Sequence, residues 1–266
     1  MLAYQKLTGV IVTILLVFTL MGCGMNNLGN SVIGEGSGSG ELVRIGEKTF
    51  QQDTFDIISV KAEAMAIYIQ PSTDDKATVE LLVDDTIKNK FSFDVSIKSS
   101  TLDIKIKEKS EALVSINDQK DERRLNISLP SKVYEQLSIQ NEFGLVEIEK
   151  IEQQQLNIFL NAGSISLNEV SGAMKLQVEA GQIEVNKLIL EDDLYAKVEA
   201  GEIEINLQET PASAKFDLAT ELGEVEVNLE GIDYEVDSTN KKVGTIGSGE
   251  SKTIEAKNEL GNVVIN

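Results

Sequence analysis

The residues of this chain whose types and spacing could do chemistry are glutamates placed at fixed distances after glycines. Glu184, Glu204 and Glu226 each stand three residues after a glycine, and Glu202 and Glu224 each stand one residue after theirs. If the segments that carry them stack in register, the first three carboxylates form an outward column with about 4.8 Å between neighbours. Like charges at that separation repel by about 1 kcal/mol per pair in solvent, so such a column indicates a site for Ca²⁺ or for a basic peptide. The alternative is that these glutamates keep an exposed strand face soluble and block edge-to-edge association.

The composition excludes several kinds of catalytic site. The 266 residues include no histidine, no tryptophan and one cysteine, Cys23. A Ser-His-Asp triad, a Cys-His pair and a histidine metal site are therefore impossible. We expect a protein that is not an enzyme and that needs no cofactor, with Ca²⁺ on the glutamate column as the one ion to consider.

The charge of the chain limits its partners. It has 24 basic against 44 acidic residues, a net charge of −20. This argues against nucleic acid or anionic lipid as a partner of the folded part. It allows cationic partners such as metal ions, basic peptides or amine-bearing cell-wall polymers, although solubility alone would also explain the charge.

The N-terminus has the pattern of a secretion signal. Lys6 precedes fourteen mostly apolar residues from Leu7 to Leu20, which is shorter than the roughly 20 residues of a membrane-spanning helix. The next residues complete the run Leu20-Met-Gly-Cys23, which resembles the lipobox of bacterial lipoproteins. The resemblance implies that residues 1–22 are a signal peptide, that Cys23 carries the lipid, and that the protein is held on the extracytoplasmic face of the cell membrane. An uncleaved anchor or a free thiol is the alternative.

A spacer separates Cys23 from the folded part. Six of the seventeen residues from Gly24 to Gly40 are glycine, and serine and asparagine are frequent among the others. Such a segment buries too little apolar surface to order itself. We predict a tether over residues 23–49 and one β-repeat domain over residues 50–266.

A unit of about twenty residues repeats through the second half of the chain, and a glycine lies at the centre of each copy. The run LQVEAGQIEV, from Leu176 to Val185, shows the pattern: apolar and polar residues alternate on both sides of the glycine. Alternation predicts half-buried strands, and a glycine between two strands predicts a tight corner. The predicted corner glycines are Gly144, Gly163, Gly181, Gly201, Gly223 and Gly261.

Stacking is the way in which such units can bury their apolar faces. We therefore predict an all-β fold, a β-solenoid of stacked strand–Gly corner–strand repeats of about 18–22 residues, with a β-sandwich of meander repeats as the alternative. The segment around Met65 fits the repeat with methionine in place of glycine. The gap of 38 residues between Gly223 and Gly261 predicts a degenerate rung around residues 243–246.

The repeats also resemble a known family. The run LNISLP from Leu125, followed by LSIQNEFGLVEIE from Leu137 and its later copies, is similar to the DUF4097 family, bacterial β-strand-repeat domains that are also described as adhesins. The resemblance is clearest over residues 125–266. It implies a non-catalytic surface role, sometimes linked to envelope stress or antimicrobial peptides. We expect a binding or adhesion module with an acidic face; the alternative is a structural or regulatory envelope protein that docks a membrane protein.

Overall fold

The structure is a computed structural model, and it describes residues 41–109, 123–248 and 252–266. The leader, Cys23 and the glycine-rich segment 24–40 lie outside the described residues. Within the described ranges, no helix is long and apolar enough to cross a membrane.

The described residues form one 16-stranded sheet and two short 3₁₀ turns, at Gln52–Thr54 and Asp85–Lys90. The alternation of apolar and polar residues explains why almost all of this sequence is strand. The first six strands are β1 (Leu42–Gln51), β2 (Ile57–Pro71), β3 (Lys76–Asp84), β4 (Phe91–Lys98), β5 (Thr101–Glu108) and β6 (Arg123–Leu129). The remaining strands are β7 (Val133–Glu149), β8 (Glu152–Asn168), β9 (Ser171–Leu188), β10 (Leu194–Leu207), β11 (Ala214–Leu222), β12 (Val225–Val227), β13 (Asp233–Ser238), β14 (Lys241–Ile246), β15 (Thr253–Leu260) and β16 (Val263–Ile265).

The repeats stack as parallel rungs, each made of a first arm, a corner and a second arm. Strands β7, β8, β9 and β10 pair in parallel, and the register places Gly144, Gly163, Gly181 and Gly201 side by side. The predicted β-solenoid is therefore confirmed. The meander alternative is wrong, because consecutive repeats run in the same direction.

The order of the rungs in the stack differs from their order in the chain. Strand β10 pairs in parallel with β15 and β16, and these pair in turn with β11 and β12. The unit centred on Gly261 thus lies between those centred on Gly201 and Gly223. The seven rungs follow the order β2, β7, β8, β9, β10, β15–β16, β11–β12.

Close approach of the backbone explains the glycine at each corner. At Gly181 φ is +145°, and an added Cβ would lie 1.7 Å from the carbonyl oxygen of Gly163. Met65 can occupy the corner of the first rung because β5 and β6 pair with separate arms of β2, so that neither strand has a register partner for residues 62–65 among the described residues. The sequence-based placement of Met65 opposite the glycines is confirmed by its register with Gly144.

The core consists of aliphatic columns that run from rung to rung. Burying each valine, leucine or isoleucine side chain contributes about 1.5–3 kcal/mol, and this periodic burial fixes the register of the arms. One column on the first arm comprises Val60, Ile139, Ile158, Leu176, Ala196, Ala256 and Leu218, and one on the second arm comprises Ile67, Val146, Ile165, Ile183, Ile203, Val263 and Val225; all are buried.

Antiparallel strands close both ends of the stack. At one end β1, β3 and β6 form an antiparallel group and β4 pairs with β5. At the other end β14 runs antiparallel to β11 and to β13. The degenerate rung predicted around residues 243–246 is therefore wrong: this segment belongs to a hairpin that caps the sheet.

The folded part begins earlier than the sequence pattern indicated. Strand β1 starts at Leu42 and pairs with β3 along its length. Residues 42–49, which we assigned to the tether, are therefore part of the sheet. Their alternation is weak because the register of β1 shifts between Arg44 and Gly46.

Candidate ligand-binding corner

The predicted column of three glutamates is interrupted in the structure. Glu184 lies beside Glu204, but Val264 of the inserted rung stands between Glu204 and Glu226. The column failed because sequence order was taken for stacking order.

The two glutamates that directly follow a corner glycine are also separated. Glu202 has Gln182 as its register partner on one side. Asn262 lies between Glu202 and Glu224, and its side-chain oxygen accepts a hydrogen bond of 3.0 Å from the backbone N–H of Glu224. Both glutamates are exposed, and the same inserted rung that divides the other column keeps them apart.

Asparagines already bind the two glutamates that are neighbours. Five residues after each of the last four corner glycines stands an asparagine, and their side chains form a ladder. Asn228 donates to Asn266 at 2.8 Å, Asn266 to Asn206 at 2.7 Å, and Asn206 to Asn186 at 2.8 Å. Asn186 then donates to Oε1 of Glu184 at 2.7 Å.

Oε1 of Glu204 accepts from the same ladder, at 3.2 Å from Asn206 and 3.3 Å from Asn266. Since amide groups donate to Oε1 of both carboxylates, Glu184 and Glu204 anchor the ladder. In the described part of the chain, no group of three or more acidic or cysteine side chains could hold a metal ion.

A different column of carboxylates runs along the corner, two residues before each corner residue, and is interrupted only at Asn161. The residues before and after each of these positions are register partners from rung to rung, and this places the carboxylates beside one another. We call this column the glutamate ridge; in stacking order it comprises Glu63, Glu142, Asn161, Glu179, Glu199, Glu259 and Glu221. Six of its seven members are acidic, and four glutamates in succession, from Glu179 to Glu221, lie on adjacent rungs about 4.8 Å apart.

Few cations compensate the glutamate ridge. Nζ of Lys197 lies 3.0 Å from Glu259 and 3.6 Å from Glu199, and the hydrogen bond to Glu259 raises the pKa of Lys197 above its ordinary value. Asn161 donates to Glu179 at 3.1 Å. Glu142 and Glu221 make no ion pair or side-chain hydrogen bond with the described residues. The ridge therefore concentrates negative potential on one edge of the stack.

An apolar column lies one residue further along, between the glutamate ridge and the glycines. We call it the apolar stripe; in stacking order it comprises Ala64, Phe143, Ala162, Ala180, Ala200, Leu260 and Leu222. Its large members are exposed: Phe143 by 45%, Leu260 by 54% and Leu222 by 69%. Ala180 and Ala200 are exposed as well. An apolar column of this length on the surface marks an interaction site more often than an accident of packing.

The signal for both columns was present in the sequence. Five of the seven corners have the form Glu-x-Gly, with alanine, leucine or phenylalanine at x, as in EFG at 142–144 and EAG at 179–181; the exceptions are Asn161 before Gly163 and Met65 in place of a glycine. Glutamate is also frequent after the glycine, and the sequence-based prediction was drawn from those positions alone, so the ridge was missed.

Comparison with known proteins agrees with this architecture. Residues 136–266 match the family described as Toastrack DUF4097. This part of the chain belongs to the DUF4097 family. Curated proteins compared by sequence contain no match to the chain.

Two solved structures are similar to this chain, which contains the DUF4097 region. A putative cell adhesion protein from Clostridium sporogenes aligns with a TM-score of 0.52 and 16% identity, over 85% of this chain and 99% of that one. A putative adhesin from Bacteroides fragilis aligns with a TM-score of 0.45 and 16% identity, over 85% and 97%. At this identity the first likeness shows a shared fold.

The DUF4097 region contains most of the corner surface. Six of the seven positions of the glutamate ridge and six of the seven of the apolar stripe lie between residues 136 and 266; Glu63 and Ala64 on β2 precede it. The corner surface is therefore mainly a property of the repeats, and β2 extends it by one rung.

Proposed function

We propose that this protein is a non-catalytic binding module, tethered to the outer face of the cell membrane, that captures cationic ligands on its acidic corner. The observation that carries the proposal is the glutamate ridge, in which six of seven positions are glutamate and one lysine, Lys197, pairs with two of them. Carboxylates on adjacent rungs repel one another by about 1 kcal/mol per pair in solvent. A cationic ligand would relieve that repulsion.

The distribution of charge supports a binding surface on the repeats. Residues 136–266 contain 25 acidic and nine basic residues, a net charge of −16. They thus carry most of the net charge of −20 of the whole chain. Such a field raises the rate at which cationic partners arrive and repels anionic ones. The name of the Clostridium sporogenes protein, a putative cell adhesion protein, also points to binding.

The tether is part of the proposal. Cleavage before Cys23 and lipid attachment to its sulfur would place the stack beyond the membrane, on a spacer rich in glycine and serine. Two or more acyl chains are needed for stable anchoring, since each buried CH₂ contributes about 0.8 kcal/mol. Cell fractionation tests this step: the wild type should sediment with membranes, and Cys23→Ala should not carry the lipid. Equal lipid labelling of both proteins would contradict it.

Binding to a cationic polymer tests the central claim. The full protein, held in non-ionic detergent micelles, is titrated with decalysine, and decaglutamate serves as the control. We expect decalysine to bind with an affinity that falls as salt rises from 50 to 500 mM, because exposed charges are screened over about 10 Å at 0.1 M. Decaglutamate should not bind.

Substitutions locate the site. Glu179→Gln together with Glu199→Gln should weaken decalysine binding by about two- to fivefold for each carboxylate removed. The matched control is Glu147→Gln with Glu226→Gln, two exposed glutamates that lie away from the ridge and beside uncharged Ser166 and Val264. If both pairs weaken binding equally, the ridge is not the site.

The alternative function, docking onto a membrane protein partner, is favoured by the apolar stripe. A contact of that kind depends on apolar burial, so it should persist at 500 mM salt. It should be lost when Leu222 and Leu260 are replaced by serine. Salt-resistant association with isolated membranes, in a protein whose Cys23 is replaced by alanine, would support this function over the first.

A further inference from the structure

The glutamate ridge and the apolar stripe lie on consecutive residues of every rung, so they run side by side along the stack. Neighbouring Cα atoms are about 3.8 Å apart, which is close enough for one ligand to contact both columns. The exposed corner thus presents apolar and acidic groups in two parallel rows. A partner that matches it must carry an apolar row beside a basic row.

The apolar stripe is uneven along its length. Three alanines, Ala162, Ala180 and Ala200, occupy its middle rungs, Phe143 stands at one end, and Leu260 and Leu222 stand at the other. Since alanine projects less than phenylalanine or leucine, the middle is a shallow recess between larger side chains. From Phe143 to Leu260 there are four rung steps, about 19 Å at 4.8 Å each.

The spacing of the rungs selects the conformation of the partner. In an α-helix, side chains three and four residues apart on one face are separated by about 4.5–6 Å along the axis. In an extended chain the same face recurs every two residues, at about 6.6–6.8 Å. Rungs about 4.8 Å apart match the helix, and a helix of about 13 residues has the length of the recess.

We propose that this corner binds a basic amphipathic α-helix that lies along the stacking axis, with its apolar face on the apolar stripe and its lysines or arginines against the glutamate ridge. The proposal rests on the proposed function and specifies the class of cationic ligand. It follows the general mode in which an amphipathic helix places apolar anchors on a complementary surface.

Charge argues against the other occupants of an apolar surface. A second copy of this chain would bring two glutamate ridges together or leave each one uncompensated beside the interface. An anionic lipid surface would be repelled by the same carboxylates. A basic helix is the partner that gains from both columns.

Two peptides of identical composition test the proposal on the full protein in non-ionic detergent micelles. The first is a 14-residue leucine–lysine peptide whose leucines and lysines occupy adjacent stripes of a helix. The second is a permuted peptide in which both residue types are spread over all faces. We expect the amphipathic peptide to bind at least tenfold more tightly than the permuted one and to become helical on binding, as judged by circular dichroism.

Two pairs of variants then separate the stripe from nonspecific apolar contact. Leu222→Ser with Leu260→Ser should weaken amphipathic-peptide binding about tenfold or more, since it removes the two most exposed large side chains of the stripe. The matched control is Val133→Ser with Ile189→Ser, two apolar residues exposed by 56% and 46% that lie outside the stripe. All four positions are exposed, so the melting temperature should stay close to that of the wild type.

The outcomes distinguish this proposal from the one on which it rests. Equal binding of the two peptides, with salt-sensitive decalysine binding intact, overturns the helix proposal and leaves cationic binding standing. No binding of any cationic probe overturns both. A protein that dimerises, with the dimer lost in Leu222→Ser with Leu260→Ser, shows that the stripe is an interface between copies and overturns the proposal as well.

Discussion

Gly163 lies directly against Gly144 at the corner, so that a Cβ added to Gly163 would approach the carbonyl oxygen of Gly144 to 1.8 Å. The same relationship recurs from rung to rung: each corner glycine is pressed onto the backbone of the rung before it. The solenoid therefore depends on these positions for its closest packing.

We predict that Gly163→Ala destabilises the protein by about 3 kcal/mol or more, because the added Cβ would clash with the backbone of Gly144 and φ is +137°. Urea denaturation measures the loss. Gly231→Ala is the control, since its φ is also positive, at +81°, but nothing lies within 4 Å of the added atom. It should cost only the backbone strain, about 1 kcal/mol. Equal losses in the two variants would mean that strain, and not stacking, dominates.

Each asparagine of the ladder should contribute to the free energy of unfolding according to its place in the ladder. Asn206 donates to Asn186, accepts from Asn266 and approaches Glu204, so Asn206→Ala should cost about 1–3 kcal/mol in the free energy of unfolding. Asn228 donates one bond at the end of the ladder, and Asn228→Ala should cost less, about 0.5–1 kcal/mol. Chemical denaturation of both variants tests the order. The reverse order would show that the ladder is not a cooperative element.

Tyr134 should make stability depend on pH in the alkaline range. Its side chain is buried, with 1% of its surface exposed, and its hydroxyl donates to the carbonyl of Pro130 at 2.8 Å. Burial, and to a smaller extent the charge of Asp56, raises the pKa of Tyr134 above its ordinary value. The stabilisation is therefore complete below the unfolded pKa of about 10 and is lost as pH rises through the folded pKa.

The measurement is the free energy of unfolding between pH 8 and 11 for the wild type and for Tyr134→Phe. We expect the variant to lose a constant amount from the missing hydrogen bond and to decline less steeply above pH 10. Lysines with raised pKa values contribute equally to both proteins, so the difference isolates Tyr134. Parallel curves would contradict the assignment.

Replacing Lys197 should change the affinity for decalysine in the opposite direction to the glutamate substitutions. It is the lysine that contacts the glutamate ridge, through Glu259 and Glu199, and Lys197→Met removes that compensation. Decalysine should then bind about two- to fivefold more tightly, with a steeper dependence on salt. Lys187→Met is the control, because Lys187 pairs with Glu169 away from the ridge. Weaker binding in Lys197→Met would count against the ridge as the cationic site.

The sequence was sufficient to predict the corner of each rung, but not which rungs lie beside one another in the stack. Each glycine is recognisable because its surroundings alternate, and alternation is a local property that burial imposes on a strand. Which rung lies beside which is a long-range property. Val264 separates Glu204 from Glu226 because the unit around Gly261 folds back between those around Gly201 and Gly223. The residues within these units do not indicate that insertion.

The candidate surface was missed for a different reason. The glutamate ridge depends on Glu179 and its equivalents, which the sequence displays plainly before each glycine. The exposure of Phe143, Leu260 and Leu222 could not be inferred, because simple alternation gives these positions the same parity as the buried residues two places earlier. The corner glycine changes that parity, and the three-dimensional structure is needed to see which side chains reach the surface.

The insertion of β15–β16 between β10 and β11–β12 has a consequence for synthesis. A ribosome makes β11 and β12 about thirty residues or more before the strands that join them to the stack, so they must wait, unpaired on one side, until residues 253–265 emerge. Until then the edge of β10 is open, and open edges attract foreign strands. Residues 253–265 thus join the last two rungs to the rest of the stack, and a chain truncated before them would expose strand edges to proteases and chaperones.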